Sequence, residues 1–376
     1  MSRILILGAG FGGLELATGL SEALGEAANV TVIDKGDAFV FGYSKLDLMF
    51  GGASGESVRL PYAEFAKPGV RLRRETVTAI DPEAKRVTTD AGVHQADHLV
   101  IALGADYDLA ATPGLAEVDS EFYSVAGAEK LAAVIPTFSA GRALIGVCGA
   151  PFKCPPAPSE CALLLDDELH RRGVRDACEI AFVIPLGSPV PPSPETSAAL
   201  KDEFEQRGIE LITGRRIASL DPERSVAVLD DGSEQPFDLF FGVPKHRAPD
   251  VVIESGLTED GYVLVDPATL ATKVPGVYAI GDVANAGVPK AGVFADGAAR
   301  IVAQHLIAAI AGGEEPGRHL GQGTCYIEFG EGRIGSVDID FLSGPERTGH
   351  FNPPSPEQTA LKEKFGADRR ARWFGR

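Results

Sequence analysis

Apolar runs of strand length alternate with longer stretches of helical periodicity along most of the chain. The first three are Ile4–Leu7, a predicted strand, Leu14–Leu24, a predicted helix, and Val30–Ile33, a second predicted strand. Strands that alternate with helices in this way are typical of a parallel sheet covered by helices. The N-terminal region is therefore predicted to begin with a βαβ unit.

The same alternation returns in the middle of the chain. Strand-forming residues begin at Arg142, a helix is predicted over Glu160–Arg172, and Glu179–Ile184 is the next strand. Before this second unit, Val70–Val93 alternates as short strands do, and His98–Gly104 is an apolar strand that ends at a glycine. The pattern predicts an α/β protein with two such domains.

Later segments are predicted to return to the first domain. Phe237–Gly242 and Gly276–Ile280 have the composition of strands, and a helix is predicted to begin near Lys290 and run to Ala311. The remaining segment, residues 324–376, holds two predicted strands and a basic tail. The first domain is thus predicted to be interrupted by the second.

Composition excludes several classes of protein. The net charge of −18 would repel nucleic acid, and five cysteines in 376 residues do not form a disulfide scaffold. No secretory signal is found, and the most apolar helical run, Ile301–Ala311, is too short to span a membrane. We expect a cytoplasmic protein, or one held at the cytoplasmic face of a membrane, without a metal site.

The turn after the first strand predicts a bound dinucleotide. Gly8 permits a sharp turn, Gly10 lets the backbone approach a pyrophosphate, and Gly13 lets the helix lie close to the strand. The helix N-terminus then faces the phosphates with unpaired N–H groups. Asp34, at the end of the second strand, is placed to accept hydrogen bonds from ribose hydroxyls.

The corresponding turn of the second unit, Gly146–Pro151, is damaged. Cys148 occupies the position of the second glycine, and Pro151 occupies that of the third, where it removes an N–H group. The next strand ends at Pro185, without an acid for a ribose. We therefore expect the second unit to keep its fold and to bind NAD(P)H poorly.

Two of the cysteines are candidates for redox chemistry. Lys153 precedes Cys154 and would favour its thiolate, while Cys325 begins a late strand. A dithiol beside a flavin could pass electron pairs to it, but a small buried hydrophobic residue is the commonest state of a free cysteine. That simpler interpretation suits Cys148 and Cys178, and Cys161 stays ambiguous.

The sequence resembles the flavoproteins with two dinucleotide-binding domains, in the branch of sulfide:quinone oxidoreductases and flavocytochrome c sulfide dehydrogenases. The segments that carry the resemblance are Gly8–Gly13 with Asp34, Ala150–Glu160, Ala279–Asp282, Pro289–Phe294 and Thr324–Tyr326. The resemblance implies an α/β fold with two Rossmann-like domains. Its expected divisions are an FAD-binding domain over 1–115 and 236–312, a second domain with a degenerate site over 116–235, and a C-terminal region over 313–376.

The resemblance also implies a cofactor and roles for residues. FAD would be bound without a covalent link, because the loop Phe39–Phe50 has no cysteine. The cofactor-binding residues implied are Gly8, Gly10, Gly13, Asp34, Val77, Gly104, Asp282 and Lys290. The catalytic residues implied are Cys154 and Cys325 as the redox pair, Glu160 as a proton acceptor, and Lys153. Sulfide or a small sulfur compound would be oxidised, and quinone or another acceptor would be reduced.

Several alternatives stay open at this point. A cytochrome-coupled sulfide dehydrogenase, a type II NADH:quinone oxidoreductase and a flavin-binding scaffold without turnover each fit part of the pattern, and a homo-oligomer is also open. His246 is expected to be an exposed loop residue rather than a proton relay. Residues 356–376 carry six basic and three acidic side chains with Trp373 and Phe374. This tail is expected either to lie on a lipid surface or to pack on the acidic body.

Overall fold

The structure is a computed structural model and describes residues 2–375. Its helices are α1 (Phe11–Leu24), α2 (Ser44–Met49), α3 (Leu115–Val118), α4 (Val125–Val134), α5 (Ala157–Arg171), α6 (Pro194–Gln206), α7 (Asp250–Glu254), α8 (Gly292–Ala311) and α9 (Pro356–Phe374). Its strands are β1 (Arg3–Leu7), β2 (Asn29–Asp34), β3 (Ala38–Val40), β4 (Arg59–Pro61), β5 (Val70–Arg74), β6 (Val77–Asp81), β7 (Arg86–Thr89), β8 (Gly92–Gln95), β9 (His98–Ile101), β10 (Asp106–Asp108), β11 (Gly141–Val147), β12 (Cys178–Ile184), β13 (Ile209–Thr213), β14 (Ile217–Asp221), β15 (Val226–Leu229), β16 (Glu234–Pro236), β17 (Leu239–Val243), β18 (Lys245–Arg247), β19 (Thr258–Glu259), β20 (Tyr262–Leu264), β21 (Val277–Ala279), β22 (Ala284–Asn285), β23 (Gln322–Glu328), β24 (Ile334–Asp340) and β25 (Thr348–Asn352).

The first domain is built on a parallel sheet with the strand order β21-β9-β1-β2-β5. Its central strand β1 is buried from Ile4 to Leu7, as expected for a strand covered on both faces. Helices α1 and α8 pack against each other on this sheet. The antiparallel sheet β6-β7-β8 forms the excursion that the alternating pattern predicted before β9.

The second domain has a parallel sheet with the order β13-β12-β11-β17. The strand β17 pairs with β11, so the prediction that Phe237–Gly242 returns to the first domain is wrong. The return to the first sheet is made by β21, which pairs with β9. The two strands have similar apolar sequences, and only their non-local pairing distinguishes the sheets they join. The chain therefore leaves the second sheet after Val243 rather than at residue 236.

The C-terminal region is an antiparallel sheet, β23-β24-β25, followed by α9. This region has three strands where two were predicted. The tail packs on the body of the protein: Trp373 is fully buried, its indole N–H donates to Glu15, and Arg372 forms an ion pair with the same carboxylate. Because Trp373 and Phe374 are buried, they are not available as membrane anchors in this structure.

Helix α8 is longer than the apolar run that the sequence suggested. Within residues 2–375 it is the one helix long and apolar enough to cross a membrane by length and composition. Its buried side chains, among them Val302 and Leu306, face the core, and α8 packs along α1. This packing is that of a central core helix of the first domain.

Candidate active site

The first glycine-rich turn has the geometry that a pyrophosphate needs. Gly8 adopts a φ of +100°, and a Cβ there would lie 2.3 Å from the Ala102 carbonyl oxygen. A Cβ on Gly13 would lie 1.9 Å from the Gly8 carbonyl oxygen, so the helix can lie this close only with glycine. At Gly10 a built Cβ meets nothing within 4 Å, which leaves open space in front of the N-terminus of α1.

The acid at the end of β2 is held in place by the same turn. Asp34 accepts hydrogen bonds from the Ala9 and Gly36 backbone N–H groups, each at 2.7 Å. Tyr62 donates from its hydroxyl to the Ala9 carbonyl at 2.9 Å and closes the turn from the other side. Tyr62 was not predicted, because a tyrosine in a loop carries no signal of this role.

A cavity of about 780 Å³ begins at this turn and extends to the second domain. A volume in this range suits a large organic ligand. The predicted residues on its walls are Gly8, Gly10, Asp34, Val77, Gly104, Lys153, Cys154, Glu160, Asp282 and Lys290. Gly13 lies behind the wall and sets the distance between helix and strand. The structure therefore brings together residues from segments that are far apart in sequence.

The shape and donors of this cavity fit FAD. The open space at Gly10 and the N-terminus of α1 suit a pyrophosphate, and Asp34 suits a ribose. At the far end, the cavity reaches Lys290 and the redox cysteine candidate Cys154. This is the arrangement required for a dinucleotide whose reactive ring must meet a thiol.

Cys154 is held in an unusual backbone conformation. Its φ of +46° lies in the left-handed region, which is costly for a residue with a side chain and is often found at functional sites. Its N–H donates to the Lys290 carbonyl at 2.7 Å, and its own carbonyl accepts from Ala157 at 2.9 Å, where α5 begins. These two bonds hold the thiol on the wall of the cavity.

Cys325 approaches the same region from β23. Both thiols are free, and both pack against the hydrophobic core of the second domain. Burial raises the pKa of each thiol, and Cys325 adds to the shift at Cys154 through its charge, so the two groups are electrostatically coupled. Within residues 2–375, Cys154 is the cysteine that lines the cavity, and Cys325 lies outside its wall.

Two lysines meet beside Cys154. The Lys153 ammonium donates to the Ala105 carbonyl at 2.5 Å and lies 3.3 Å from the Tyr107 hydroxyl. Burial opposes its charge, but Tyr107 and Asp282 outweigh burial and raise the pKa of Lys153. Lys290 is buried, and burial lowers the pKa of its ammonium group to about 8. The negative charge of Asp282 opposes this shift. Lys290 is therefore a buried lysine on the cavity wall and not a solvated surface residue.

Glu160, in the first turn of α5, is buried next to β23 of the C-terminal region. Burial raises its pKa to about 7, although the Lys362 ammonium opposes that shift. One carboxylate oxygen accepts from the Glu328 N–H at 3.0 Å. Lys362 comes from α9, where it also pairs with Glu328, and Asp47 adds a further negative charge. Only the fold could reveal this cluster, because its members lie on four separate segments.

The remaining cysteines and one histidine complete the comparison with the sequence. Cys148, Cys161 and Cys178 are all buried, and Cys161 is resolved as a core residue. His246 is 2% exposed on β18, so the prediction of an exposed loop residue is wrong. Burial, together with the charge of Lys153, lowers the pKa of His246 to about 3.

Comparisons with known proteins agree with the fold. The family model of the pyridine nucleotide-disulphide oxidoreductases matches residues 2–309. The mitochondrial sulfide:quinone oxidoreductase of Mus musculus is 26% identical over 93% of this chain and 80% of its own length. The crystal structure of the sulfide:quinone oxidoreductase from Aquifex aeolicus superposes with a TM-score of 0.87 at 22% identity, covering 99% of this chain and 92% of that one.

A second structural neighbour was solved in complex with NADH. The structure of NDH2 from Plasmodium falciparum in complex with NADH superposes with a TM-score of 0.75 at 12% identity, over 97% of this chain and 94% of that one.

The fold and the cavity define a flavin-dependent oxidoreductase of the α/β class with Rossmann-type domains. The chain belongs to the pyridine nucleotide-disulphide oxidoreductase family, whose members bind FAD.

Proposed function

We propose that this protein oxidises sulfide to sulfane sulfur through Cys154 and Cys325 and passes the electrons by way of FAD to a quinone. The observation that carries the proposal is the position of Cys154, which is held in a left-handed conformation on the wall of the cofactor cavity with Cys325 coupled to it. The mouse relative, named for sulfide and quinone, supports the same pair of substrates. The damaged turn at Gly146–Pro151 argues against a nicotinamide.

FAD would be held at one end by the turn Gly8–Gly13 and Asp34, with Val77 and Gly104 along its length. Asp282 and Lys290 would contact the end that carries the reactive ring, since both line the cavity near Cys154. FAD, when bound, supplies an acceptor for an electron pair and a donor of that pair to quinone. Lys290 and Lys153 place positive charge where negative charge would collect during reduction.

The proposed sulfur chemistry uses Cys154 and Cys325 as a disulfide pair. In the oxidised enzyme, hydrosulfide attacks Cys325 of a Cys154–Cys325 disulfide, so that a persulfide forms on Cys325 and a thiolate leaves on Cys154. We assign the leaving thiolate to Cys154 because this cysteine lines the cofactor cavity and Cys325 does not. The electron pair on Cys154 is the pair that FAD, when bound, would accept. A second hydrosulfide takes the sulfane sulfur from Cys325 and leaves a thiolate there, and this thiolate re-forms the disulfide with Cys154 as the electron pair departs.

Glu160 supplies the proton acceptor of this scheme. A carboxyl group whose pKa is about 7 can gain or lose a proton near neutral pH, which an ordinary glutamate cannot do. Its charge affects both Cys154 and Cys325, so its ionisation is coupled to both sulfurs. Glu160 would take the proton that hydrogen sulfide releases as it becomes the hydrosulfide that attacks Cys325.

Quinone as the acceptor implies access to a membrane, where hydrophobic quinones dissolve. We propose that the protein is peripheral on the cytoplasmic face, with the basic tail contributing charge rather than apolar anchors. Trp373 and Phe374 are buried, whereas Lys364 on α9 is exposed. Sedimentation with anionic and with neutral vesicles tests this placement, because attraction by charge requires the anionic lipid and weakens with salt.

The proposed function is tested by replacing each cysteine with serine. Cys154→Ser and Cys325→Ser should each abolish sulfide-dependent bleaching of the flavin, measured anaerobically by absorbance, while FAD stays bound. Cys178→Ser is the matched control, because Cys178 is buried on β12 outside the cavity. Bleaching that survives in both single variants at the wild-type rate would contradict the proposal. Comparison of quinone with cytochrome c as the acceptor separates the two kinds of sulfide dehydrogenase.

A further inference from the structure

Tyr123 presents a buried hydroxyl without a partner. The residue is 5% exposed, and its hydroxyl oxygen makes no hydrogen bond to any of the described residues 2–375. Buried hydroxyl groups are normally paired, because an unpaired one loses its hydrogen bond to water without compensation. A hydroxyl left in this state beside a ligand cavity indicates a partner that is present only during function.

The surroundings of Tyr123 hold its ring in place without using its hydroxyl. Its carbonyl accepts from the Tyr107 hydroxyl at 2.7 Å, and its ring centroid lies 5.2 Å from that of His246 in an edge-on arrangement. His246 Nδ1 lies 2.8 Å from the Pro244 carbonyl oxygen and must donate to it, so the neutral ring has no proton on Nε2. Among residues 2–375, Nε2 of His246 also has no hydrogen-bond partner, so it can still accept a hydrogen bond.

Among the ionisable groups around Tyr123, Cys154 has the largest electrostatic effect on it. Tyr123 and Cys154 both line the cavity. Burial is the main cause of the raised pKa of Tyr123, and the negative charge of a Cys154 thiolate is the next. The hydroxyl therefore keeps its proton and can act as a donor toward that sulfur.

We propose that the Tyr123 hydroxyl donates a hydrogen bond to the Cys154 sulfur when this sulfur is a thiolate. The inference rests on the proposed function and adds a residue to it. When hydrosulfide attacks Cys325, the S–S bond breaks and its electron pair stays on Cys154, which becomes negative. The Tyr123 proton is shared with this sulfur but is not transferred, so atoms and charge balance without a further reactant. The bond stabilises the leaving thiolate until its electron pair moves to the cofactor.

The test measures the thiolate directly. The holoenzyme is reduced anaerobically and treated with iodoacetamide, and alkylation of Cys154 is followed by mass spectrometry of its peptide. Tyr123→Phe removes only the hydroxyl, and Tyr278→Phe is the matched control on β21, outside the cavity. Glu160 on α5, Cys325 on β23 and Lys45 on α2 also act on the charge of Cys154, and these groups are unchanged in both variants.

We expect Tyr123→Phe to slow alkylation of Cys154 about threefold at a pH below the pKa of the thiol. Loss of the hydrogen bond raises this pKa by about one unit and lowers the thiolate fraction about tenfold, while the more basic thiolate reacts about threefold faster. Alkylation of Cys325 in the same sample should change less than about twofold. Tyr278→Phe should leave both rates unchanged. Equal rates at Cys154 in wild type and Tyr123→Phe would overturn the proposal.

A second variant covers the case in which Tyr123→Phe loses its cofactor. Site-specific 3-fluorotyrosine at position 123 makes the hydroxyl a stronger donor and should speed alkylation of Cys154, in the opposite direction to phenylalanine. No change with this substitution would also overturn the proposal. Neither measurement uses sulfide, so an enzyme that failed to oxidise sulfide would contradict the proposed function without affecting this result.

Discussion

The two glycine turns of this protein occupy equivalent places after the first strand of each parallel sheet, yet they differ in every feature that a nucleotide requires. At the first turn, α1 begins at Phe11 directly after Gly10, and open space lies in front of it. At the second, a Cβ on Gly149 would meet the Lys245 side chain at 3.1 Å, and α5 begins only at Ala157.

The difference shows how the same βαβ scaffold can form a dinucleotide-binding turn in one domain and position a thiol in the other. The residues between β11 and α5 include Lys153 and Cys154, which line the cavity of the first domain rather than a nucleotide site of their own. Cys148 is buried and Pro151 removes a backbone N–H group. The second turn thus leads into a loop that places the Cys154 thiol on the wall of the cavity of the first domain.

The largest effect is expected from breaking the first turn with Gly13→Ala. Its Cβ would lie 1.9 Å from the Gly8 carbonyl oxygen, so the helix must move away from the strand. We expect loss of bound FAD and a fall in the free energy of unfolding of more than about 4 kcal/mol, measured by flavin absorbance and denaturant titration. Gly19→Ala on the same helix is the control, because its Cβ would meet only the Ala303 Cβ, at 3.6 Å. Retention of FAD by the Gly13→Ala protein would contradict the role of this turn.

Replacement of Glu160 by glutamine tests the chemistry placed after the second turn. Because burial raises the pKa of Glu160 to about 7, the carboxylate that accepts a proton accumulates above that pH. Glu160→Gln should therefore slow sulfide-dependent flavin reduction about 100-fold at about pH 8, and much less at about pH 6, in stopped-flow measurements.

The control for that experiment is Glu168→Gln, which removes a carboxylate from the same helix where it pairs with Arg171. Its rate should follow that of the wild type across the pH range. A Glu160→Gln enzyme whose rate keeps the wild-type pH dependence would exclude this residue as the proton acceptor.

A smaller effect is expected from replacing Asp34, the acid at the end of β2, which has no counterpart in the second domain. Asp34→Asn removes the negative charge that accepts hydrogen bonds from the Ala9 and Gly36 N–H groups. In the second domain, Pro185 stands at the equivalent position after the strand. We expect FAD affinity to fall about tenfold, equivalent to about 1.4 kcal/mol, measured by titration of the apoprotein. Asp37→Asn, on an exposed residue outside the cavity, should leave the affinity unchanged.

The smallest effect is expected from a partial repair of the second turn. Cys148→Gly restores one glycine, but Pro151 and the missing acid remain. NADH-dependent flavin reduction should therefore stay below about twice the wild-type rate, since one of three requirements does not rebuild a nucleotide site. A large gain in this rate would show that Cys148 alone closes the site.

The sequence predicted best those features that depend on neighbours along the chain. The turn Gly8–Gly13 with Asp34 is a local pattern of this kind. The pairing of β17 with β11 was missed because apolar strands do not specify which sheet they join.

Site residues were missed for the same physical reason. Tyr62, Tyr123 and Lys362 acquire their roles from contacts with segments far away in the chain, and His246 is buried by the rings of Tyr107 and Tyr123. The burial of the C-terminal helix against Glu15 likewise depends on tertiary contacts, since composition alone fitted a lipid surface equally well.

The central claim is that the cofactor receives electrons from a sulfur compound and not from a nicotinamide. The most direct measurement is an anaerobic titration of the FAD-containing protein, first with sulfide and then with NADH, followed by flavin absorbance. The account predicts rapid bleaching by sulfide and none by NADH on the same timescale. Rapid bleaching by NADH, with sulfide inert, would contradict it.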